Sequence, residues 1–158
     1  MNRKYDPAGE VNLGGFAGSM TAYAAFVAGI GSVMKARDLE LPEAYRIVDL
    51  VLGGVATHKL SRLIAKGSIV SPIRAPFTEF VQATGSSEHD EDPRSDNGLR
   101  HTMGELLTCP FCLGVWIATA YVAGLVVAPR PTRAAGAILS VAAISDALQQ
   151  AYSRLRTD

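Results

Sequence analysis

The run Glu105-Leu-Leu-Thr-Cys-Pro-Phe-Cys-Leu-Gly-Val-Trp116 opens a stretch, residues 106–128, without a single charged side chain. Its 23 residues exceed the roughly 20 that a helix needs to cross a bilayer. The same run holds the only two cysteines, Cys109 and Cys112. The stretch therefore reads as a membrane span with a Cys-x-x-Cys pair at its mouth.

Working outward, residues 16–34 form a second uncharged stretch. A soluble amphipathic helix places polar residues on its wet face every turn or so, and neither stretch does. Residues 16–34 read as a retained span and not a cleaved leader. Asp6 and Glu10 precede them, and no small-x-small cleavage site lies ahead of Lys35. Small residues spaced four apart, such as Gly14/Gly18 and Ala25/Gly29, suit close approach of helices in lipid. Residues 1–15 are polar and glycine-rich and read as a flexible lead-in.

A third helix is expected over 43–66. Residues 47–57 are apolar apart from Asp49, for which Arg46, three residues earlier, is the local partner. Beyond Thr57 the helix turns amphipathic, with His58, Lys59, Arg62 and Lys66 on one side. Whether this helix spans fully is open. Pro72 and Pro76 break structure in 67–80, an apolar connector suited to the membrane interface. Residues 84–98 carry five acids and no large apolar side chain, which predicts a disordered tether. A last helix is expected over 132–154, forming a hairpin with 106–128. No repeat or β alternation is visible. The chain thus reads as all-α, an integral membrane helical bundle of three or four transmembrane helices, with residues 16–158 as one domain.

With 15 basic and 15 acidic residues, the net charge is zero, and no overall field draws in nucleic acid. Under a four-span arrangement, Lys and Arg divide ten to five between the two sides. The positive-inside rule then places both termini and the Cys-x-x-Cys on the cytoplasmic side.

The chemistry has open alternatives. Cys109 and Cys112 can be a redox pair, since Pro110 suits a first helical turn and helix N-termini stabilise thiolates. They can be half of a zinc site completed by two of His58, His89 and His101, with His58 and His101 the leading candidates, or simple packing residues. A cytoplasmic setting favours free thiols. His58, Lys59, Arg62 and Arg74 can hold an anionic headgroup or phosphate, or serve only as topology-setting charges. Glu105 can orient a ligand or sit as a helix-start charge.

Three blocks together resemble a bacterial membrane-protein family catalogued as domain of unknown function family 1360: Ala56-Thr-His-Lys-Leu-Ser-Arg-Leu-Ile-Ala-Lys66, Ser71-Pro-Ile-Arg-Ala-Pro-Phe77 and 106–116. The resemblance covers about residues 45–150. The matching residues are Thr57, His58, Lys59, Ser61, Arg62, Arg74, Pro76, Cys109, Pro110 and Cys112. It implies a small multi-span membrane protein; some relatives are labelled sporulation proteins, and no reaction transfers. The expected role is a non-catalytic accessory or scaffold component that meets the bilayer and either a partner membrane protein or its own copy. The alternatives are a thiol redox protein and a metal- or anionic-ligand-binding protein.

Overall fold

The computed structural model describes residues 5–6, 11–94 and 98–156. Its α-helices are α1 (Leu13–Ala36), α2 (Ile47–Lys66), the single turn α3 (Ser71–Arg74), α4 (Leu99–Thr108), α5 (Pro110–Val127) and α6 (Pro129–Leu155). A 3-10 turn, Ser68–Val70, links α2 to α3, and strands β1 (Thr78–Ala83) and β2 (His89–Pro93) lie between α3 and α4.

Local chemistry sets the boundaries. The Asn12 side chain accepts from Gly15 N at 3.0 Å and starts α1. Cys109 is extended (φ −103°, ψ 101°) because the residue before a proline is pushed out of the α region, and Pro110 then opens α5. Pro129 opens α6 in the same way.

The four long helices alternate in direction. Tyr23 of α1 meets Trp116 of α5 edge-on at 5.2 Å, and its hydroxyl lies 2.7 Å from Thr119 Oγ1. Near the start of α1, Asn12 Nδ2 donates to Glu105 Oε2 of α4 at 2.8 Å, so α1 and α5 run the same way. Tyr121 of α5 donates to the Asp49 carbonyl at 3.1 Å, whereas Gly114 faces Thr57; α2 therefore runs antiparallel to α5. Helix α6 runs parallel to α2. Arg133 holds the Asp49 carboxylate at 2.8–3.1 Å, Ser140 Oγ donates to Leu52 O at 3.0 Å, and Lys59 pairs with Asp146. The Tyr121 ring fills the slot where these three helices meet. A Cβ on Gly53 or Gly136 would lie 2.3 or 2.9 Å from its atoms, closer than side chains tolerate.

Among the described residues, more polar than hydrophobic side chains are fully buried. Arg74, Ser140, Asp49, Ser61, Thr78 and Glu91 are buried, while the buried hydrophobic residues are Ala56, Ala65, Leu113 and Leu125. Helices α1 and α5 are long and apolar enough to cross a membrane, yet 0% of the apolar window of α1 and 11% of that of α5 is buried within the protein.

Several expectations need correction. The chain is mostly helical but not all-α, because β1 and β2 form an antiparallel hairpin. Its register runs Thr78↔Pro93 to Ala83↔His89 with a bulge between Phe80 and Gln82. Residues 84–94 are not a tether: they supply the hairpin turn and β2, whereas 95–97 lie outside the described residues. The stretch 106–128 is not one helix, since its first residues end α4 and the chain turns at Cys109. Among the described residues, α1 and α5 are the two helices that meet the length and apolarity required of a span. Of the expected lead-in, residues 1–4 and 7–10 lie outside the described residues, and helix begins already at Leu13.

Candidate functional site

The densest polar constellation sits where α2 ends and the hairpin folds over it. Arg74, the last residue of α3, is wholly buried. Its Nη1 donates to the Ile64 and Gly67 carbonyls at 2.6 and 3.0 Å, which belong to the end of α2 where carbonyls lack helical partners. Its Nε donates to Glu91 Oε2 at 2.9 Å, and Nη2 donates to Glu91 Oε1 at 2.6 Å and Ser71 Oγ at 3.1 Å. All five guanidinium N–H groups are used. The Glu91 carboxylate also accepts from Ser71 Oγ at 2.7 Å and Thr78 Oγ1 at 2.6 Å. Burial alone would push the Glu91 carboxyl up. The hydrogen bonds from Arg74, Thr78 and Ser71 and the Arg74 charge outweigh it and hold the pKa down at about 2.

This arrangement clasps the hairpin to the end of α2. The Ser71 proton goes to Glu91, and the Ser71 oxygen accepts from Arg74, with His89 Nδ1 a further 3.0 Å away. The His89 imidazole and the Glu91 carboxylate both lie within hydrogen-bond reach of that hydroxyl. The His89 ring also packs edge-on against Phe80 at 5.1 Å. Gly104 of α4 closes the other side: a Cβ there would lie 2.6 Å from Phe77 O and 3.0 Å from Pro93 Cα.

The other basic residues predicted to form an anion site are drawn to the chain's own acids. Arg62 makes a bidentate pair with Glu88, both bonds at 2.7 Å. Lys66 donates to Asp90 Oδ1 at 2.9 Å, and this bond, with one from Gln82, holds the Asp90 carboxyl below its usual range. Lys59 is paired with Asp146 of α6. His58 and Arg62 are the members of the cluster exposed at the surface. Lys59, Arg62 and Arg74 therefore do not share one anion site. Asp49, whose expected partner was Arg46, takes its hydrogen bonds from Arg133.

Cys109 and Cys112 are joined by a disulfide across the first turn of α5, with Cα atoms 5.2 Å apart. The Cys109 sulfur accepts from the Cys112 N–H at 3.1 Å, so it caps the helix. Free thiols, the sequence expectation, are not what the structure holds. Cys112 and its neighbour Phe111 face outward. The predicted zinc set does not assemble: among the described residues, no three of His, Cys, Asp and Glu lie close enough to hold a metal. His101 turns Nδ1 to the Arg94 carbonyl at 2.7 Å. Glu105 accepts from Asn12 and lies 3.7 Å from His101 Nε2, and so bridges α1 and α4.

Sequence reasoning missed Glu88, Asp90 and Glu91 as the partners of the basic cluster. The available signal was charge matching, since a run of acids follows a run of bases within one short segment.

A family model described as "protein of unknown function (DUF1360)" matches residues 52–152. That range takes in most of α2, the clasp, the cysteine pair, α5 and most of α6. The sporulation protein YjcA of Bacillus subtilis (strain 168) is 28% identical over 112 residues, covering 66% of this chain and 91% of that protein. No solved structure matches. With nearly two thirds of its length inside that family model, the chain belongs to the DUF1360 family.

Proposed function

We propose that this protein is a multi-pass component of a bacterial plasma membrane and acts as a non-catalytic accessory or scaffold for a membrane assembly. One observation carries the reading: the apolar helix α1 has no buried residue, and the apolar helix α5 fully buries only Leu113 and Leu125 within its own chain. Water would make such surface very costly; lipid or partner helices would not. Helices α2 and α6 complete four spans in this reading. At about 1.5 Å per residue their lengths reach the roughly 30 Å of a hydrocarbon core. Their charges face each other as Asp49–Arg133 and Lys59–Asp146, the paired state such groups adopt at membrane depth. The end bearing the clasp and the cysteines, with its surplus of Lys and Arg, is cytoplasmic by the positive-inside rule.

Helix α1 is the partner-seeking element. None of its residues is buried, and Gly18, Ala25 and Gly29 leave a low relief for another helix to approach. The relative's sporulation label gives the setting in which to look for that assembly. The test is fractionation followed by mild polymer extraction with a tag on the chain. The expected result is recovery in the membrane pellet after alkaline carbonate, with a specific membrane protein co-isolated. A freely soluble protein without detergent would overturn the membrane reading, and membrane integration without any co-isolated protein would overturn the scaffold role.

A second reading is favoured by the Cys109–Cys112 disulfide at the start of α5. A partner dithiol can transfer two electrons and two protons to it, so that the partner becomes a disulfide and Cys109 and Cys112 become thiols. Capping by the Cys112 N–H would stabilise a Cys109 thiolate in the exchange. Equilibration with glutathione buffers should then give one two-electron potential, and Cys109→Ser should trap or abolish exchange. Failure to equilibrate would remove this reading.

A further inference from the structure

The two sulfurs of the Cys109–Cys112 bridge have different surroundings. Cys112 is exposed, whereas Cys109 is half-buried where α4 gives way to α5. The Cys109 sulfur is the one that takes the Cys112 N–H, at 3.1 Å. One sulfur is thus open to attack and the other is positioned to carry charge.

The backbone allows the bond to open. The two Cα atoms are 5.2 Å apart, and three steps along any α-helix separate Cα atoms by about 5 Å. The turn therefore keeps one shape whether the bond is closed or open. A loop this short also gains least from a cross-link, so holding the fold together is a poor account of the bridge. Its depth suits exchange as well. Helices α2 and α5 are antiparallel, with Gly114 facing Thr57. Two residues further along each, Cys112 is level with Lys59, which pairs with Asp146. The bridge thus sits at the level where charged groups begin, accessible to a dithiol arriving from water.

We propose that Cys112 is the sulfur through which this protein exchanges with a partner dithiol, and that Cys109 is the leaving and resolving thiolate. This assignment rests on the thiol-exchange reading above and gives it an order of events. A partner thiolate attacks Cys112 Sγ from the side away from Cys109. A partner–Cys112 bond forms, the Cys109–Cys112 bond breaks, and its electron pair leaves on Cys109. A stabilised thiolate leaves faster, and the Cys112 N–H at the start of α5 stabilises this one. The partner's second thiolate then attacks the partner sulfur of the mixed disulfide and expels Cys112. The partner ends as a disulfide, and its two protons end on the pair, Cys112 taking its proton first. In the reverse direction Cys112 attacks a partner disulfide and Cys109 closes the bridge. Cys112 therefore carries the mixed disulfide both ways.

The full chain in native membranes is treated with reduced glutathione, quenched in acid within seconds, and capped with N-ethylmaleimide. Fragmentation of the peptide that holds both cysteines then locates each adduct. The expected product carries glutathione on Cys112 and maleimide on Cys109, in roughly tenfold excess over the reverse. Glutathione mainly on Cys109, or equally on both, would overturn the assignment while leaving exchange intact. A bridge that glutathione never opens would overturn exchange and assignment together. The single-thiol variants Cys109→Ser and Cys112→Ser add a readout that a merely structural pair would not move. With helicity unchanged, iodoacetamide should alkylate Cys109 in the second variant down to a pH about one unit lower than Cys112 in the first. Coincident pH profiles would overturn Cys109 as the stabilised leaving thiolate.

Discussion

The clasp around Arg74 and the first helix are built on opposite principles. In the clasp every polar group is matched: Arg74 and Glu91 are buried and hydrogen-bonded from all sides. Helix α1 has no buried residue and touches the rest through a few aromatic and polar contacts, Tyr23 and Phe26 on Trp116 and Asn12 on Glu105. The clasp is therefore held by its own chain, whereas α1 relies on whatever surrounds the protein. A water-soluble domain would distribute these features the other way, with the apolar helix inside and the ion pair outside.

The comparison can be broken most severely at the clasp. Arg74→Ala would strand the Glu91 charge in a buried site, at a cost of about 3–5 kcal/mol. The variant should show a sharply lower unfolding temperature in detergent. A double Arg74→Met/Glu91→Met variant should recover much of that loss, because no unpaired charge remains. If Arg74→Ala were as stable as the parent, the clasp would not be what holds the hairpin down.

Acid probes the same pair more gently. The Glu91 carboxyl has a depressed pKa in the folded protein, about 2 against an ordinary 4.5. Its contribution is therefore fully present above about pH 4.5 and fades as the pH falls towards 2, amounting to about 3 kcal/mol across that window. Unfolding temperature followed from pH 5 to pH 2 should show the decline, and Glu91→Gln should flatten that component.

Trp116→Ala tests the other region. It removes two ring contacts worth about 0.5–1.5 kcal/mol each. The expected outcome is faster hydrogen exchange and easier proteolysis in α1, with the hairpin's protection unchanged. Loss of hairpin protection as well would mean that the two regions are coupled. The smallest effect is expected for Arg62→Ala. Its pair with Glu88 lies at the surface, with the Arg62 side chain 52% exposed, so thermal unfolding should shift by less than about 1 kcal/mol.

The helices were legible because their signals are local. Charge-free runs announced α1 and α5, Pro110 was read as suiting a first helical turn, and residues 132–154 were expected as helix where α6 stands. The hairpin was not legible. Strand β2 reads His-Asp-Glu-Asp-Pro, without a branched or aromatic residue, and acids of this kind normally signal disorder. It is ordered because Glu88, Asp90 and Glu91 find Arg62, Lys66 and Arg74, a match between segments that no single window contains. The same blindness misassigned Asp49 to Arg46, its neighbour in sequence, when Arg133 lies beside it in space. The cysteine pair was visible by spacing, but its bonded state was not.

The parallel course of α2 and α6 has a consequence for the order of events during synthesis. Arg74 and Glu91 are 17 positions apart, so the ribosome delivers both ends of the clasp almost together. Asp49 emerges 84 positions ahead of Arg133, and Lys59 87 ahead of Asp146. Each must wait, unmatched, while the hairpin, α4 and α5 are made. A nascent chain halted after α5 would carry a finished clasp beside two solitary charges, and translation of the last helix is what neutralises both.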